Sequence, residues 1–187
     1  MYIQNHIFTK EELAAKPLEK GEYEQCKFES GDWMNGSLMG YQFSSCTFLH
    51  CNMSMLDLRD TAFDKVVFDQ CKLVGARFDM CRDFGLSFRF VNCVLNYASF
   101  NRKVIRKTVF TNCQLQGVDF METDLTQAVF NDCDFSGAQF DRTILEKADL
   151  STSRNIVLLP ENNKIKKAKF SRDNIEGLLA KYDLEIV

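Results

Sequence analysis

A period of five constrains this chain more than any other feature. In the stretch NDCDFSGAQF, residues 131–140, Cys133 stands two before Phe135 and Ala138 two before Phe140. Thr143 and Leu145, then Ala148 and Leu150, repeat the arrangement. A helix recurs at 3.6 residues and a flat strand at two, so neither has this period. With the large apolar residue as the centre, the frame runs in steps of five from Phe8 to Phe78. It resumes in a new phase at Phe90, continues to Leu150, and is met again at Ile165 and Phe170. Self-similarity this long at a fixed period is the signature of a solenoid.

The pattern resembles the pentapeptide repeat family, whose unit is roughly A(D/N)LXX with Leu or Phe at the centre. The resemblance covers about residues 8–170. It implies an all-β fold, a right-handed quadrilateral β-helix of about 8 coils, with four pentapeptides to a coil of roughly 20 residues. The cysteines test that coil length. Cys51, Cys71, Cys93, Cys113 and Cys133 are spaced by 20, 22, 20 and 20 residues, and Cys26 and Cys46 by 20. The single 22 coincides with the change of phase, so two extra residues are expected within 83–90. With that shift Phe28, Phe48, Phe68, Phe90, Phe110 and Phe130 fall into one column of the core, with the small residues pointing inward beside the centres. The thiols lie at coil spacing, not in C-x-x-C pairs, and only His6 and His50 accompany them. They read as small buried hydrophobes, not metal ligands or disulfides.

The rest of the composition mostly excludes. The chain has 187 residues and a net charge of -3, so as a whole it is neither polyanion nor polycation. No apolar run is long enough for a transmembrane helix. The N-terminal MYIQNHIFTKEELAAK lacks the basic and apolar regions of a secretion signal, which with free thiols suggests a cytoplasmic, reducing setting. No P-loop, H-E-x-x-H or G-x-S-x-G is present, and neither enzyme activity nor a cofactor or metal is expected.

Four irregular places are candidates for contact with a partner. In CRDFGLSFRFVNC, 81–93, Asp83 falls where an apolar centre is due. This is either a bulge presenting Asp83 and Phe84 to a partner, or a tolerated insertion whose gap Phe84 or Phe88 plugs. Arg102, Lys103, Arg106 and Lys107 form either a partner-binding patch or a solvated corner with Lys103 turned outward. Residues 113–151 hold eight acids against Arg142 and Lys147. Asp119, Glu122, Asp124, Asp141 and Glu146 among them form either an acidic ridge or the ordinary outward positions of the repeat. In SRDNIEGLLAKYDLEIV, 171–187, Ser171 or Asp173 is an expected N-cap, and Ile175, Leu178, Leu179 and Tyr182 recur at helical spacing. An amphipathic α-helix over the last coil, followed by a short strand with Leu184 and Ile186, is expected there. Residues 1–170 then form the β-helix, and 171–187 a cap and homodimer interface.

The N-terminal run, the bulge and the terminal segment are similar in layout to the Qnr-type, quinolone-resistance members of the family. That resemblance implies a rod-shaped dimer that mimics DNA and binds DNA gyrase or topoisomerase IV without binding nucleic acid itself. Against it stand the modest net charge and the basic stretches at 102–107 and 164–172. A general protein-interaction scaffold remains the other reading.

Overall fold

The structure, a computed structural model, describes residues 1–185. It is an all-β parallel solenoid. A four-stranded sheet stacks Tyr2–Gln4, Glu22–Glu24, Gln42–Ser44 and Ala62–Asp64. A seven-stranded sheet stacks Ile7–Phe8, Lys27–Glu29, Thr47–Leu49, Val66–Asp69, Phe88–Val91, Val109–Thr111 and Val129–Asn131. Its strands make six steps, and isolated bridges at the same 20-residue offset continue from Val129 through Asp149 to Lys169. The register is 20 residues in Phe48↔Phe68 and Phe90↔Phe110, but 22 in Phe68↔Phe90. The extra pair inferred from the cysteine spacing is therefore present. Strands stay short because the chain turns a corner after each, at residues held left-handed such as Lys65, Gln70 and Asn112, with φ of 52°, 53° and 50°.

Inside, the phenylalanines stack face to face, with ring centroids 4.7 Å apart for Phe28 and Phe48, 5.2 Å for Phe68 and Phe90, and 4.8 Å for Phe110 and Phe130. Offset stacking at this separation adds to the area that each ring buries. The eight cysteines are free and buried. They do more than fill space. The Sγ of Cys51, Cys71 and Cys93 donates to the carbonyl oxygens of Phe28, Phe48 and Phe68, each at 3.3 Å. At equivalent places the hydroxyls of Thr61, Thr123 and Thr143 donate to Leu38, Phe100 and Phe120 at 2.8 Å. The inward position thus suits a small side chain with a donor, which reaches a carbonyl oxygen of the preceding coil. Burial pushes the Cys46 thiol up to about 12 and the Cys81 thiol up as well, so both stay protonated.

Both ends depart from the expectations. The frame places Leu13 on a coil side, but Lys10–Ala15 is a short α-helix. Thr9 caps it: its hydroxyl accepts from the Glu12 amide while the Glu12 carboxylate accepts from the Thr9 amide, at 3.3 and 3.0 Å. The T-x-x-E signal of that box was readable at 9–12.

At the other end, the expected α-helix is replaced by two 3₁₀ turns, Ile175–Leu178 and Ala180–Tyr182. The cause lies in two residues. Asn174 is buried, and its amide donates to the Leu150 and Ser153 carbonyls at 2.9 Å, which plugs the last coil. Ser171 caps Asn174 and starts no α-helix. Gly177 lies so close to the chain at Ile156 that an added Cβ would stand 1.6 Å from the Ile156 oxygen. Leu184 and Glu185 form no strand, and the rest of that expected strand, with Ile186, lies outside the described residues.

Candidate interaction surface

The bulge is confined between two ordinary hydrogen bonds. The Arg82 amide donates to the Thr61 oxygen and the Ser87 amide to the Phe63 oxygen, both at 2.9 Å. Residues 83–86 leave the coil and return to it. Of the two aromatics offered as a plug, Phe88 fills the core, with its ring 5.4 Å from Phe78 and 5.2 Å from Phe90. Phe84 does the opposite: it is 96% exposed, and beside it Gly85, at φ +72°, has nothing within 4 Å of where a Cβ would be.

Lys103 corrects the expectation of an outward lysine. It is buried, and its Nζ donates to the Cys81 carbonyl at 2.7 Å and pairs with Asp83 at 2.5 Å. An ammonium in a position built for Cys or Thr is tolerable only because both a carbonyl and a carboxylate meet it. Lys103 thereby fastens the root of the bulge. The other cations of the run separate. Arg102 pairs with Glu122 at 3.1 Å and Arg106 with the buried Asp124 at 2.7 Å, while Lys107 has no carboxylate within bridging distance among the described residues.

The acidic residues are drawn into the same cross-coil pairing. Glu122 also holds Arg142 at 2.9 Å, Asp134 meets Arg154 at 3.3 Å and Asp149 meets Lys169 at 2.9 Å across coils, while Asp141 meets its sequence neighbour Arg142 at 3.2 Å. Hydrogen bonds from Arg102 hold Glu122 below its ordinary carboxylate value. Burial pushes Asp124 up, but the hydrogen bonds from Arg106 and Thr126 outweigh it and leave the carboxyl below its usual value. Asp119 and Glu146 lack a paired cation among the described residues. A ridge of carboxylates in sequence is thus a mosaic of both signs in space, since a 20-residue coil sets unlike charges over one another. No group of three or more His, Cys, Asp or Glu side chains among the described residues is placed to hold a metal ion.

The C-terminal candidates divide. Leu178 packs against the core, whereas Ile175, Leu179, Tyr182 and Leu184 are 48%, 38%, 58% and 57% exposed. No helix among the described residues is long and apolar enough to cross a membrane.

A family model described as the pentapeptide repeat region matches residues 86–178. No curated protein sequence matches the chain. Among solved structures, the chain is similar to a trypsin-treated variant of QnrB1, a plasmid-mediated fluoroquinolone resistance protein. That match has 18% identity over 100% of both chains and a TM-score of 0.49. It is also similar to HetL, a pentapeptide repeat protein involved in heterocyst differentiation regulation from the cyanobacterium Nostoc, at 15% identity over 82% of this chain and 89% of that one, with a TM-score of 0.35. Rfr23, a pentapeptide repeat protein from the cyanobacterium Cyanothece, shares 12% identity over the same 82% and 89%, with a TM-score of 0.28.

Proposed function

This chain is a pentapeptide repeat protein, and we propose that it works as a non-catalytic interaction rod. In this reading residues 1–170 form a right-handed square rod of about eight coils. Residues 171–185 close it and offer Ile175, Leu179, Tyr182 and Leu184 to a second copy. The observation that carries the proposal is the presentation of Phe84. An aromatic ring fully in water, on a root fastened by Lys103, is placed to enter a pocket on a partner with little ordering cost. Asp83 and the Arg102–Lys107 corner lie around that root and flank the contact.

The second reading is a DNA mimic that binds gyrase or topoisomerase IV, and the Qnr-type layout of the sequence favours it. It needs carboxylates free to meet a basic saddle. The pairing of Glu122, Asp124 and Asp141 with arginines works against it, and of the five candidate acids only Asp119 and Glu146 stay without a cation among the described residues. A gyrase supercoiling assay with increasing protein, with and without ciprofloxacin, at two salt concentrations separates the two. Inhibition or drug protection at micromolar protein, weakened by salt, establishes mimicry. No effect, with a partner retained by the wild type and lost by Phe84→Ala, establishes the rod as a scaffold.

A further inference from the structure

Past the bulge, one side of the rod gathers cations that lie scattered along the sequence. This side is built from four stacked rows, 104–107, 124–127, 144–147 and 164–167, joined by bridges from Val104 through Asp124 and Ile144 to Lys164. Rows about 4.8 Å apart give the four a span of roughly 14 Å. Lys107, Lys147 and Lys167 take the same left-handed corner, at φ of 60°, 58° and 60°, and the Lys147 amide donates to the Lys166 oxygen at 3.0 Å. Lys107, Lys147, Lys164, Lys166 and Lys167 are all exposed, and none has a carboxylate within bridging distance among the described residues.

Two acids stand on these rows. Asp124 is buried and taken by Arg106 at 2.7 Å, which leaves Glu146 to face the five ammonium groups. On the neighbouring side Asp149 is held by Lys169 at 2.9 Å. Asp119 and Asp134 of the same coils stand in other columns. A chain whose net charge is -3 thus carries a face with a clear excess of cations.

We infer that this face binds the phosphate backbone of a nucleic-acid duplex without reading its sequence. Unpaired ammonium groups in a regular array complement a polyanion. The surroundings decide which one. Before the bulge the same side carries Glu22, Glu24 and Asp64 against Lys65. A broad anionic surface such as a membrane would meet both halves and be repelled by the first, whereas a cylinder crossing the rod touches only the second. No aromatic side chain stands on the four rows, so a single strand finds nothing on which to stack its bases. Val104 is the one large exposed apolar residue there, too little to anchor an acidic protein segment. The one guanidinium, Arg106, is held by Asp124, so no planar fork is free for a base edge. Five lysines opposed by one glutamate give a small footprint, hence weak binding that is steep in salt. The inference does not depend on the scaffold reading.

Anisotropy of a labelled DNA duplex of about 20 base pairs, titrated with the full chain at several salt concentrations, is the test. A dissociation constant of roughly 1–100 μM is expected, with log K falling against log salt at a slope of about -4. Lys147→Glu with Lys167→Glu weakens binding about tenfold or more and flattens the slope by about 2. Lys65→Glu with Lys72→Glu, the same change of net charge placed away from this face, leaves it within about twofold. Glu146→Gln tightens it about threefold, a gain that a misfolded chain does not produce. Circular dichroism melts show whether each variant is folded. The corresponding single strand binds more weakly than the duplex, and vesicles of phosphatidylcholine with phosphatidylserine retain no protein at the same salt. No binding at the lowest salt, equal losses from the two double reversals, no gain from Glu146→Gln, a single strand bound as tightly as the duplex, or retention on the vesicles overturns the inference.

Discussion

The Nζ of Lys103 lies 2.7 Å from the carbonyl oxygen of Cys81 and 2.5 Å from a carboxylate oxygen of Asp83, one coil below. This pair joins the core to the most exposed aromatic of the chain. Lys103→Ala removes the ammonium and leaves the Cys81 carbonyl unpaired inside the rod. The expected loss of stability is about 1–3 kcal/mol by urea unfolding. Amide exchange at 83–87 is expected to speed up selectively, while exchange in the Phe110 strand keeps its wild-type order. Uniform acceleration along the rod is the result that removes Lys103 from this role.

The phenylalanine column sets the cooperativity of the rod. Phe110 is fully buried between Phe90 and Phe130, with ring centroids at 5.0 and 4.8 Å. Phe110→Ala is expected to cost about 3–5 kcal/mol, because rings held on both sides cannot collapse into the space. Phe84→Ala, which removes a ring surrounded by water, is expected to change stability by about 0.5 kcal/mol or less. The two midpoints from the same denaturant titration check the contrast.

The thiols give a third expectation. All eight are buried, and burial keeps Cys46 and Cys81 protonated. A thiol-reactive chromophore such as dithionitrobenzoate should find almost none in the native protein and all eight after denaturation. Cys71→Leu should destabilise by about 1–3 kcal/mol through overpacking. Cys71→Ser, which keeps a donor for the Phe48 carbonyl as Thr61 does for Leu38, should be milder.

Acid should loosen the surface ladder. Hydrogen bonds from the Arg59 side chain and backbone hold Asp57 at about 2, below its usual 3.8. Burial pushes Asp134 up, but hydrogen bonds from Asn155 and Ser136 outweigh it and hold this carboxyl at about 2. A carboxylate whose folded value is depressed contributes stability above its unfolded value and loses it as pH falls through the folded one. The thermal midpoint is therefore expected to be level from neutrality to about pH 4 and to fall between about pH 4 and 2. Asp134→Asn should lower the plateau and flatten that fall. A midpoint falling already between pH 7 and 5 is the contrary outcome.

The sequence by itself determined the repeat, the 20-residue coil, the two-residue shift within 83–90 and the inward columns of Phe and Cys. These follow from periodicity, because each stacked coil must present the same small and large side chains to its neighbours. It left open which aromatic fills the gap, since Phe84 and Phe88 are equally apolar on paper, and it set Lys103 outward by its charge. Only the tertiary structure decided these points: Phe88 returns to the sheet and Phe84 does not, and a carbonyl and a carboxylate from the coil below meet the Lys103 ammonium. The pairing of the acids was hidden for a related reason. Residues 20 apart in sequence become neighbours only once the coil closes, so a run of carboxylates is read as a ridge until the arginines of the next coil are laid beside it. The terminal segment likewise has helical spacing, but Asn174 and Gly177 spend its backbone and side chains on the last coil, and that demand is tertiary.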